Sequence, residues 1–79
     1  MRISVLYFAG LRAAAGVASE ELQSDAASLT ALYEELRARH GWPLAQASLR
    51  VAVNDELVPW TRALQEGDVI AFLPPFSGG

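Results

Sequence analysis

The sequence predicts an α+β fold, a mixed sheet of about five strands with one main amphipathic helix packed on one face. Three patterns carry that expectation. Apolar, strand-like runs stand near both ends of the chain, at 2–8 and 69–73; one stretch, 28–40, repeats its apolar residues at helical spacing; short turn-bounded segments fill the rest. With 79 residues this is one domain, able to bury only about 60 to 65% of its unfolded surface. An apolar fraction of 52% makes that core feasible.

The first strand, 2–8, begins as an alternation and ends apolar on both sides. Ile3, Val5 and Tyr7 share one face, and Leu6 and Phe8 share the other. If a single helix covers the first face, Phe8 lies on an open side. The next segment, 10–16, is rich in alanine and bounded by Gly10 and Gly16, which predicts a short helix with a glycine stop. Residues 17–24 lean locally toward helix, yet a helical stop directly before them favours a returning edge strand.

Ser28 is placed to cap the main helix, 28–40, and Leu29, Leu32, Tyr33 and Leu36 form its apolar stripe. Glu35 and Arg39 make a favourable i,i+4 pair, and Gly41 stands where a left-handed C-terminal residue belongs. Residues 41–44 read as a loop with room for a helical turn through Ala47. Strand 49–53 alternates cleanly, turns at Asn54-Asp55 into a short strand around 56–58, and stops at Pro59. A glycine turn at Gly67 delivers the last strand, 69–73, whose continuous apolar character marks it as central and parallel to the first. This order is that of a ubiquitin-like β-grasp, since a ferredoxin-like arrangement needs a second long helix.

Composition excludes several kinds of chemistry. No cysteine is present, so disulfides and thiolate nucleophiles are absent, and no lysine is present, so no Schiff base forms. All six basic residues are scattered arginines on a chain of net charge −3, which gives no footprint for nucleic acid. No run approaches the ~20 apolar residues of a membrane span, and no secretory signal precedes the first strand, so the expected location is the cytoplasm. The single histidine, His40, sits at a helix end, where a cation meets the helix dipole without any catalytic role. The cluster Asn54-Asp55-Glu56 has the composition of a hairpin turn and not of a metal site. The body therefore offers no nucleophile–base pair and is not catalytic alone.

What remains is the ending, Pro74-Pro75-Phe76-Ser77-Gly78-Gly79, with no charge after Asp68. The prolines cannot continue a β ladder, so the domain is expected to span 1–75 and a thin tail, 76–79, to project from it. Glycine lacks a Cβ, so Gly78-Gly79 can enter a channel that side chains would block. The Gly79 carboxylate suits activation by attack on the α-phosphorus of ATP, after which a sulfur nucleophile would displace AMP and leave a thiocarboxylate.

These residues resemble the MoaD/ThiS family of ubiquitin-like sulfur carriers, and within it the small subunits of molybdopterin synthase. The resemblance covers essentially the whole chain and is carried by the opening run to Ala9, by Leu11-Arg12 and Gly16, by Ala52-Val53-Asn54 before Leu57-Val58, and above all by Gly67-Asp68 leading to the Pro-Pro-x-Ser-Gly-Gly ending. It implies adenylation and thiocarboxylation of Gly79 by an E1-like enzyme using ATP and an upstream sulfur donor. The tail, Pro74 to Gly78, would then thread into the large synthase subunit of a heterotetramer and give sulfur to cyclic pyranopterin monophosphate. It implies a docking patch at Phe8, Leu57 and Leu73, and no metal or cofactor held by this chain itself. The competing readings are a related carrier for tRNA thiolation or thiamine, a protein modifier conjugating through Gly79, and a non-covalent β-grasp interaction module.

Overall fold

The computed structural model describes residues 1–74. Five strands form one sheet in the order β2-β1-β5-β3-β4. They are β1 (Arg2–Tyr7), β2 (Ser19–Gln23), β3 (Arg50–Val53), β4 (Glu56–Val58) and β5 (Val69–Leu73), with helices α1 (Ala9–Ala15) and α2 (Leu29–His40). The two apolar strands from opposite ends of the chain lie side by side and parallel, with Val5 opposite Ile70 and Tyr7 opposite Phe72. Every other pairing is antiparallel. The architecture is the ubiquitin-like β-grasp.

Helix α2 forms where its stripe demands it. The Ser28 hydroxyl accepts from the Ala31 N–H at 3.1 Å, satisfying one orphan donor of the first turn. Gly41 closes the helix at φ 69°, and its N–H returns to the Arg37 carbonyl. Leu29, Leu32, Tyr33 and Leu36 are fully buried against Ile3, Val5, Tyr7, Val51, Val53, Ile70 and Phe72 of the sheet. Burying each such side chain stabilises the fold by roughly 1.5–3 kcal/mol before entropy is charged against it. The loop after α2 contributes more than its sequence suggests: Trp42 is buried, stacked on Tyr33 and edge-on to Tyr7. A 3-10 turn over Gln46–Ser48 leads from it into β3.

The 17–24 segment does fold as an edge strand, because β1 needs an antiparallel partner and Gly16, at φ 79°, reverses the chain after α1. Asn54 and Asp55 both take positive φ, 53° and 72°, the geometry of a two-residue hairpin turn between β3 and β4. The first strand ends one residue earlier than expected, at Tyr7, and Phe8 becomes the extended N-cap of α1. Pro75, just inside the expected domain boundary, and the tail 76–79 lie outside the described residues.

Candidate functional site

Strand alternation sends every second side chain to the face opposite α2. The register places Leu6 opposite Ala71, Ala71 opposite Ala52, and Ala52 opposite Leu57, so these four form one row across β1, β5, β3 and β4. Two alanines in the middle make the row shallow, flanked by Leu6 on one side and Leu57 on the other. Leu57 is 60% exposed and Phe8 43%. Phe8 keeps an extended backbone after the buried Tyr7, which turns its ring to this same face. Leu73 closes β5 opposite Arg50 and is half-buried. The three expected docking residues, Phe8, Leu57 and Leu73, thus share one open, largely apolar sheet face. Leu6, Ala52, Ala71 and the exposed Val69 lie on it as well; only the cross-strand register, which the sequence does not show, links them.

The last described residues stand beside this face. Strand β5 lies between β1 and β3, so its end at Leu73 is central, and Pro74 follows directly. Pro74 lines a shallow groove with Ser48, Arg50, Leu57 and Leu73. The remaining expected site residues, Pro75, Phe76, Ser77, Gly78 and Gly79, lie outside the described residues.

Two polar clusters frame the sheet from the other side. Glu20 of the edge strand lies opposite Val5 and so faces inward, where it accepts from the Tyr7 hydroxyl at 2.5 Å and meets His40 Nε2 at 3.1 Å. The Tyr7 hydrogen bond, joined by His40 and Arg39, outweighs burial and holds the Glu20 carboxyl below the usual glutamate range. Burial, reinforced by the Glu20 carboxylate, raises the Tyr7 phenol far above its ordinary value, so the proton stays on tyrosine. His40 stacks on Trp42 and stands edge-on to Tyr7. Its role goes beyond the helix-end cation expected from sequence.

The second cluster is centred on Asp68, 3% exposed. Its carboxylate accepts from Arg62 Nη1 at 2.8 Å, the Gln65 N–H at 2.8 Å and the Asn54 amide at 3.1 Å. Burial opposes its charge, but these donors prevail and keep the carboxyl below the ordinary aspartate range. Asp68 thereby ties the 59–68 loop and the Asn54 turn to the start of β5. Each cluster ties neighbouring elements together: Asp68 accepts through both carboxylate oxygens, and Glu20 gathers Tyr7 and His40 on one. Among the described residues no group of three or more His, Asp or Glu is arranged to hold a metal ion. None of their helices is long and apolar enough to cross a membrane.

A family model described as the ThiS family matches residues 5–79. The chain belongs to the ThiS family. Curated relatives carry the likeness over nearly the full length of this ThiS-family chain. The molybdopterin synthase sulfur carrier subunit of Haemophilus influenzae is 40% identical over 80 residues, covering 98% of this chain and 99% of its own. The subunit of that name from Escherichia coli is 38% identical, with the same coverage of both chains. In the solved complex of subunits 1 and 2 of the molybdopterin-converting factor from Helicobacter pylori, one chain superposes on this one with a TM-score of 0.70 at 28% identity, each covered in full.

Proposed function

We propose that this chain is the sulfur carrier subunit of a molybdopterin synthase. The observation that carries the reading is an apolar sheet face beside the exit of a Pro-Pro-x-Ser-Gly-Gly ending, on a chain 40% identical to such a carrier from end to end. Exposed apolar patches of this kind mark interaction sites, and a single face next to the tail serves both partners the chemistry requires. An E1-like adenylating enzyme docks on Phe8, Leu57 and Leu73 and receives the tail. One Gly79 carboxylate oxygen attacks the α-phosphorus of ATP, pyrophosphate leaves, and an acyl adenylate forms. The outer sulfur of a persulfide on an upstream donor then displaces AMP to give an acyl disulfide, and a thiol attacks the donor's sulfur, forming a disulfide with the donor and releasing the Gly79 thiocarboxylate.

The loaded chain exchanges partners. Its tail, from Pro74 through Pro75, Phe76, Ser77 and Gly78, enters the large subunit of the synthase, within a heterotetramer of two small and two large chains. There the thiocarboxylate sulfur attacks cyclic pyranopterin monophosphate, and water cleaves the resulting acyl–sulfur bond, leaving the sulfur on the pterin toward the dithiolene and returning Gly79 as a carboxylate. The carrier binds no cofactor of its own, works in the cytoplasm, and leaves the catalytic base and substrate pocket to its partner. Reconstitution tests this: a thiocarboxylated chain with the large subunit and cyclic pyranopterin monophosphate yields molybdopterin, and a chain lacking Gly79 yields none. Product from the Gly79-deleted chain would refute it.

A further inference from the structure

One charge on the proposed docking face pairs with no carboxylate among the described residues. Of the six arginines, four meet carboxylates: Arg2 at Glu21, Arg37 at Glu34, Arg39 at Glu35 and Glu20, and Arg62 at Asp68. Arg12 stands in the last turn of α1, where a cation faces the carbonyl end of the helix. Arg50 has neither kind of partner among the described residues. It is exposed, projects from β3 to the same face as Ala52, and sits opposite Leu73 at the tail exit. The two hollows it borders are lined with Ser48, Leu57, Leu73, Pro74, Val58 and Trp60 among others, and no acidic residue lines either.

We infer that Arg50 selects the docking partner, by pairing with a carboxylate that the large synthase subunit presents within an otherwise apolar contact surface. The inference rests on the proposed docking of that subunit. A partner covering Leu57 and Leu73 strips water from the guanidinium between them. A buried cation without a counter-charge is costly, so a surface lacking an acid at that point is rejected while one that has it is accepted. Arginine suits the task because its planar fork meets a carboxylate with two parallel hydrogen bonds. The net charge of −3 adds weight: on an acidic protein, a lone cation on the binding face is a local exception that orients an acidic partner patch.

The test is binding of full-length Arg50→Leu and Arg50→Glu chains to the cognate large subunit, with Leu57→Glu as the control for the face itself. All three substitutions fall on exposed side chains, so melting temperatures stay close to that of the parent. Loss of the carboxylate pair predicts about tenfold weaker binding for Arg50→Leu and at least about a hundredfold for Arg50→Glu. Sensitivity to added salt shrinks in Arg50→Leu. Binding of Arg50→Leu equal to or tighter than the parent, while Leu57→Glu is crippled, overturns the role of Arg50 and leaves the docking face standing. No binding by the parent chain overturns the proposed function and Arg50's role with it. If removing residues 75–79 abolishes the effect of Arg50→Glu, the arginine serves this chain's own terminal carboxylate, and the inference fails.

Discussion

The Tyr7 hydroxyl donates to Glu20 Oε1 at 2.5 Å, joining the central half of the sheet to an inward-facing carboxylate on its edge strand. His40 reaches the same oxygen from the end of α2, so one carboxylate clasps β1, β2 and the main helix. Tyr7 directly precedes Phe8, and the clasp therefore anchors the strand end beside the open apolar face.

Acid loosens that clasp. The folded Glu20 carboxyl lies below the 4.5 of an unperturbed glutamate, so its stabilisation is fully present above that value and drains away as pH falls through the lower folded value. Glu20→Gln should lower unfolding stability at neutral pH by about 1–2 kcal/mol. It should also flatten the acid limb of the stability curve. Urea unfolding across the acid range reads both effects, and an unchanged acid limb would remove Glu20 from the account.

The Asp68 network predicts a larger loss. Asp68→Ala leaves the Gln65 N–H, the Asn54 amide and the Arg62 guanidinium without their common acceptor, and should cost about 2–4 kcal/mol by urea or thermal unfolding. A loss below about 0.5 kcal/mol, the scale of ordinary surface changes, would contradict a structural role.

These two clusters are also where the sequence was least legible. The helical stripe Leu29, Leu32, Tyr33 and Leu36, the Ser28 cap and the Gly41 stop could be read directly because each rests on local spacing. So could the alternation that separates Tyr7 from Phe8. Glu20 could not, because its inward orientation depends on standing opposite Val5 in a register set by pairing. Trp42 looked like loop and proved to be core, since a long side chain can return to the sheet while its backbone stays outside. Asp68 gathers donors from 54, 62 and 65, a convergence that no linear pattern displays. On the open face, alternation exposed Phe8; Leu57 and Leu73 came from family resemblance, and the alanines between them required the sheet order.

The hairpin at Asn54 and Asp55 leaves room for improvement. Asp55 holds φ 72° and its side chain makes no hydrogen bond among the described residues. Asp55→Gly supplies the Asn-Gly pair that this turn favours and should raise stability by about 0.5 kcal/mol, visible as a small upward shift in melting temperature. A fall would show that the glycine's freedom in the unfolded chain outweighs the relieved turn.

The proposed docking face should separate binding from folding. Phe8→Asp and Leu57→Glu change side chains 43% and 60% exposed, so unfolding free energies should move by less than about 0.5 kcal/mol. Affinity for the large subunit, read by calorimetry, should drop at least about tenfold. Unaltered affinity in both variants would place the contact elsewhere.

The central claim is that Gly79 carries sulfur, and the intact mass of the chain tests it most directly. After incubation with an E1-like adenylating enzyme, ATP and a sulfur donor, the chain should gain the difference between one sulfur and one oxygen, while a Gly79-deleted chain gains nothing. No gain with an enzyme shown to be competent on another carrier, or an equal gain in the deleted chain, would contradict the account.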